Sequence, residues 1–150
     1  MTLAHQFLKA VPLFEKCDEN TLQRLALGLR WTTYKKGDTI LFQGMIVNQM
    51  FLISSGRVAV FSRKDGETRQ VATLGEGQYF GEISLLTNKA ATATIKADTD
   101  ETQVYVMERE AVLTALANHP DVMADVTRKV DERNQNRLDA FNEVSAGTPA

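Results

Sequence analysis

The chain has little of what builds a disulfide scaffold, a metal centre or a membrane span. Its single cysteine, Cys17, cannot close an internal disulfide, and a reducing interior suits it. With only His5 and His119 besides, no zinc-type ligand cluster can be assembled. No apolar run approaches the ~20 residues of a membrane helix, and the N-terminus lacks the basic-then-apolar layout of a secretory signal. A net charge of −2 leaves no bulk basic footprint, which argues against nucleic acid as a partner. What is present is ordinary: 43% apolar and 24% charged residues over 150 positions describe one soluble domain able to bury a core unaided.

The periodicity runs helix, strand, helix. "LAHQFLKAVPLF" puts Leu3, Phe7, Leu8 and Val11 at helical spacing, and Pro12 ends the run. "DENTLQRLALGL" offers Asp18 as a cap, with Leu22, Leu25 and Leu29 on one face. From Trp31 the period becomes two: "DTILF", "QMFLIS", "RVAVFS", "RQVATL", "TATIKA" and "TQVYVM" are short and rich in β-branched and aromatic residues. "KKGD", "SSGR" and "KDGE" punctuate them, and Asp65-Gly66 suits a type I′ hairpin turn. Such closely spaced strands predict a sandwich, jelly roll or small barrel. From Glu108 the helical period returns, with Val112, Leu113 and Leu116 inward, a break at Pro120, and a last helix carrying Val122, Val126 and Val130. That helix is polar from Asp131 to Asn136, as a solvated face or a ligand lid would be.

One stretch carries chemistry: "GEGQYFGEISLLTNKAATATIKA", Gly75 to Ala97. On spacing alone its glycines read first as turn residues and Glu82 as a solvated carboxylate. A second reading is an anion cradle. Gly81 removes a side chain where a ligand could approach the backbone, and Ile83 to Leu86 read as a helical turn with free N–H groups at its start. A carboxylate at the mouth of a phosphate site makes sense if Glu82 faces a ribose hydroxyl. A dinucleotide phosphate loop does not fit, because the spacing is G-x-G-x-x-x-G and no βαβ unit surrounds it.

These residues resemble the cyclic-nucleotide-binding domains. "AVPLF", "KKGDTILFQG", "MFLISSGRVAVF", "YFGEISLLT" and "TATIKADT" follow one another as in that family. "FGEISLLTNKAATATIKADT" and "VLTALANHP" are similar to the versions in hyperpolarisation-activated and cyclic-nucleotide-gated cation channels. The resemblance implies a mainly β fold with flanking helices: an antiparallel β-roll of jelly-roll type with N-terminal helices and C-terminal lid helices. It implies one domain over 1–144, with helices over 3–30, the roll over 31–108, C-terminal helices over 109–143, and a flexible tail at 145–150.

It also implies roles. Glu82 accepts a hydrogen bond from the ribose 2′-hydroxyl, and the backbone around Gly81, Ile83 and Ser84 donates to the cyclic phosphate. Thr92 adds a contact to phosphate or to a guanine edge. Val60, Ala72 and Leu74 wall the purine, and Arg133 on the last helix contacts the base. The departure is Ala91, which stands where the family has its phosphate-binding arginine; Lys89 lies two residues away.

The expected function is a non-catalytic regulatory module that binds cAMP or cGMP and signals by movement of Val126 to Arg137, with affinity weakened at Ala91. No nucleophile–base pair is legible, so no enzyme and no cofactor are expected. The expected partners are the small nucleotide and an effector domain or protein outside this chain, and the expected location is the cytoplasm or the cytoplasmic face of a membrane protein. A free-standing sensor and a channel fragment both fit. Two alternatives stand beside this: a degenerate domain serving as an interaction module, and a pocket for an uncharged nucleoside-like ligand.

Overall fold

The computed structural model describes residues 3–81, 90–117 and 119–147. Helix α1 (Leu3–Ala10), a 3₁₀ turn (Pro12–Phe14) and α2 (Glu19–Leu27) precede the strands. The strands are β1 (Leu29–Tyr34), β2 (Thr39–Leu41), β3 (Gln49–Ser55), β4 (Val58–Lys64), β5 (Glu67–Leu74), β6 (Tyr79–Phe80), β7 (Thr94–Ala97) and β8 (Thr102–Glu108). Helices α3 (Arg109–Leu116) and α4 (Pro120–Gly147) follow.

The strands form two four-stranded sheets, ordered β1-β8-β3-β6 and β2-β7-β4-β5. All of their pairings are antiparallel. This is the expected β-roll with flanking helices. The predicted hairpin is present, with Asp65 at φ 55° and Gly66 at φ 81°, the two positive angles a type I′ turn requires. Asp18 caps α2 by accepting a hydrogen bond from the Thr21 N–H at 2.8 Å. Gly28 ends that helix, so Leu29 opens β1 opposite Met107 instead of continuing the helical face. The roll therefore starts at 29 and not at 31. On α3 Val112 and Leu116 are buried as expected, and Ala115 joins them in place of Leu113, which is half-exposed. Helix α4 runs through Gly147, past the boundary expected at 144.

Two cores explain why β3 reads as apolar on both faces. Phe51 and Ile53 enter the roll with Val58, Val60, Leu74, Phe80, Ile95, Val104 and Val106. Met50 and Leu52 face the other way, into a second core with Leu8, Phe14, Leu25, Met107 and Leu116. One sheet thus has the roll interior behind it and the helices in front.

Helix α4 belongs to both parts of this arrangement. Val126 and Val130 are each 2% exposed in the helical core, and burying a valine contributes about 1.5–3 kcal/mol. Lys129 Nζ donates to the Pro12 carbonyl at 2.7 Å and pairs with Glu15 at 2.9 Å. The first part of the segment expected to move, Val126 to Val130, is therefore seated in the helical core in this structure.

Asp125 ties this seat together. Its buried carboxylate meets Lys129 at 3.0 Å, Arg128 at 2.9 Å and Lys16 at 3.6 Å. The Lys129 hydrogen bond, with Arg128 adding to it, holds the Asp125 carboxyl below its ordinary range. That contribution is present above the unfolded value, about pH 4, and is lost as pH falls through the depressed native value. Asp125→Ala should therefore lower the thermal midpoint at pH 7. The gap from the parent should close in melts run at progressively lower pH below 4; a gap independent of pH would remove the charge from this account.

Candidate functional site

Strand register brings together the three residues expected from the sequence to wall a purine. Val58 pairs with Leu74 and Val60 with Ala72, so all four share the inner face of the β4–β5 ribbon. The register then shifts, with Phe61 opposite Gln70, leaving Val71 as the extra residue of a bulge. Val60 is fully buried, Leu74 nearly so, and Ala72 packs partly buried against the same cluster.

Ala91 joins that cluster, with its methyl against the roll interior. Its backbone is clamped to the turn after β2: the Ala91 N–H donates to the Met45 carbonyl at 2.8 Å, and the Gly44 N–H donates to the Ala91 carbonyl at 2.9 Å. Thr92 lies beside it, exposed. Position 91 is thus fixed at the rim of the interior and offers no cation there.

Gly81 has φ +86°, and a Cβ built on it would stand 2.9 Å from the Gln49 carbonyl oxygen and 3.1 Å from Phe51 Cδ2. Close approach of the β3 backbone requires this glycine, independently of any ligand. Gly81→Ala should cost about 1–3 kcal/mol through forced backbone strain, readable as a lowered urea midpoint; an unchanged midpoint would contradict the close packing. Glu82, Ile83, Ser84 and Lys89 lie outside the described residues.

Arg133 is reached from the other side. Helix α4 lies against β5, the edge strand of one sheet, while Arg133 reaches β6, the edge strand of the other. The guanidinium carbon stands 3.7 Å from the centroid of the Tyr79 ring, and Nη1 donates to the Tyr79 carbonyl. The helix therefore spans the seam between the two edge strands, held two residues before Gly81. Arg133, expected from the sequence to contact a base, here latches the helix to β6. Sequence reasoning missed Tyr79, which "QYFGE" presents as one more core aromatic. It also missed the Gly44–Met45 clamp; Gly44, at φ +92°, was its only signal.

The described residues gather no metal-ligand group: no three or more His, Cys, Asp and Glu come together there. Burial, with Asp18 and Asp125 adding to it, pushes the Cys17 thiol up to about 11, so it is not a thiolate at neutral pH. No described helix is long and apolar enough to cross a membrane.

The family model of the cyclic nucleotide-binding domain matches residues 31–119, which contain all of the roll but the first two residues of β1, together with Val60, Ala72, Leu74 and position 91. The chain belongs to the cyclic nucleotide-binding domain family. Two channels are among its relatives. The cyclic nucleotide-gated channel alpha-3 of Homo sapiens is 33% identical over 128 residues, 81% of this chain and 18% of the channel. The potassium/sodium hyperpolarization-activated cyclic nucleotide-gated channel 4 of Oryctolagus cuniculus is 36% identical over 94 residues, 63% of this chain and 8% of the channel. The chain thus spans a small part of either. Among solved structures, it is similar to the regulatory subunit of a cAMP-independent protein kinase A from Trypanosoma cruzi bound to guanosine. The TM-score is 0.78 at 25% identity, over 95% of this chain and 50% of that one. Members of the family among these relatives are regulatory domains of channels and kinase subunits.

Proposed function

We propose that this cyclic nucleotide-binding domain is a non-catalytic switch for cAMP or cGMP. The base lies against Val60, Ala72 and Leu74, and the phosphoribose lies on Gly81, Glu82, Ile83, Ser84 and Thr92. The residues of α4 beyond Val130 carry the signal. The observation that supports this best is the Arg133 latch: one side chain joins the last helix to the strand leading directly into the cassette. A ligand on Gly81 and its neighbours bears on the same two residues that hold the helix. It can shift the helix only by favouring one of its positions over another. The effector that reads this shift lies outside the chain, which acts in the cytoplasm or on the cytoplasmic face of a membrane protein.

Arg133→Ala should weaken cAMP or cGMP binding by about 2- to 10-fold, the range of one lost hydrogen bond. Hydrogen exchange in the helix beyond Val130 should change on ligand addition in the parent and change less in the variant. Exchange there that ignores the ligand would sink the lid.

A second reading has its own observation. The Ala91 methyl packs in the apolar cluster where a phosphate would need a cation, and a similar structure is described as bound to guanosine. In that reading Glu82 still serves the ribose, and the ligand is an uncharged nucleoside.

A further inference from the structure

The outer face of the β2-β7-β4-β5 sheet carries two cations that nothing in the ligand site uses. Arg63 and Lys96 border a depression of about 620 Å³ with no carboxylate among its described lining residues. Neither makes an ion pair among the described residues, whereas Arg30, Arg57, Arg69, Arg128 and Lys129 all do. In a chain of net charge −2, this face is locally positive. Lys96 Nζ leans over the Phe61 ring at 5.7 Å. Phe61 lies two residues from Arg63 on β4, about 7 Å of strand.

The face is rigidly built. Beyond Phe61, β4 has no further pairing with β7. Gln43 takes that place: its side-chain amide donates to the Arg63 carbonyl at 2.9 Å and accepts from the Arg63 N–H at 2.7 Å. The Gln43 N–H also donates to Thr94 Oγ1 at 2.9 Å. A surface held in place before binding loses less on association.

The segment that clasps Arg63 also presents apolar side chains to solvent. Phe42, Met45 and Ile46 are 55%, 43% and 58% exposed. Phe42 and Met45 flank in the chain the Gln43–Gly44 pair that lines the depression, so exposed apolar groups adjoin a surface whose two cations make no ion pair among the described residues, a mixed surface of the kind that marks an interaction site.

We propose that this face is a docking surface for a partner protein's segment in which carboxylates lie beside large apolar side chains. The carboxylates meet Arg63 and Lys96, and the apolar groups lie on Phe61 and the 42–46 turn. Charge complementarity selects this occupant. A lipid surface is disfavoured because recognition of anionic lipid takes clusters of about four to eight basic residues, and this face offers two.

Random dodecapeptides displayed on phage can be panned against the full chain. Enriched sequences should combine Asp or Glu with Leu, Phe or Trp. A labelled synthetic version should shift the amide resonances of Gly44, Phe61, Thr68 and Lys96 in NMR spectra. The double variant R63E/K96E, folded by circular dichroism, should bind it about tenfold or more weakly, since two favourable pairings become repulsive; the milder R63A/K96A should fall between. Vesicles rich in phosphatidylserine should not retain the parent. Enriched peptides without carboxylates, shifts confined to other faces, or equal binding by the double variant would overturn the proposal. So would vesicle binding that the double variant loses while no acidic peptide is enriched.

Discussion

Ala91→Arg is expected to tighten the binding of cAMP and cGMP by about 10- to 100-fold. A charge-assisted hydrogen bond contributes about 1.5–3 kcal/mol, and a bidentate guanidinium is the geometry suited to a phosphate. The backbone for such a side chain is already in place. Ala91 is hydrogen-bonded through its N–H and its carbonyl to the Gly44–Met45 turn and faces the cluster that contains Val60, Ala72 and Leu74. The introduced guanidinium must leave that apolar cluster for the phosphate; in the absence of ligand its burial should lower the thermal midpoint, and ligand should restore it. The gain in affinity should shrink at high salt. Adenosine and guanosine, which lack the phosphate, should not share it. Calorimetry on a folded variant with no improvement for either cyclic nucleotide would mean that the pocket is remade for something else.

Glu82→Ala is expected to cost a ribose-bearing ligand about 1.5–3 kcal/mol, again the range for a hydrogen bond to a charged group. The 2′-deoxy analogue should bind the parent more weakly by a similar factor and should lose little further in the variant. That double comparison separates a sugar contact from a general loss of the cassette. Equal binding of ribose ligands by parent and variant would rule out the sugar contact. The prediction applies to cyclic nucleotides and nucleosides alike, so it tests the ribose side of the pocket without deciding the phosphate side.

Much of this was legible in the sequence because local signals and global fold agree. Asp18 reads as a cap and is one; Asp65-Gly66 reads as a hairpin turn and takes both positive angles. The alternation in β4 and β5 puts Val60, Ala72 and Leu74 on one face, although the bulge at Val71 that sets their phase has no sequence mark. The rest is set by tertiary contacts that a local pattern does not carry. Leu29 continues a helical stripe in the sequence, yet Gly28 turns it into a strand. Periodicity shows that Val126 and Val130 share a buried face, but not that the helical core is what buries them. At Gly81 the sequence gives no sign of the β3 backbone that excludes a Cβ there. The Arg133–Tyr79 latch joins residues 54 positions apart, beyond any local pattern.

The central claim is that the roll binds a cyclic nucleotide through its phosphate as well as its ribose. One calorimetric panel on the unmodified chain tests it most directly: cAMP, cGMP, adenosine and guanosine, each at low and at high salt. The account predicts saturable binding of cAMP or cGMP, tighter than the matching nucleoside, with the difference narrowing at high salt because the phosphate contact is electrostatic. Nucleosides binding as tightly as cyclic nucleotides, or better, would contradict it, as would the absence of binding by either cyclic nucleotide.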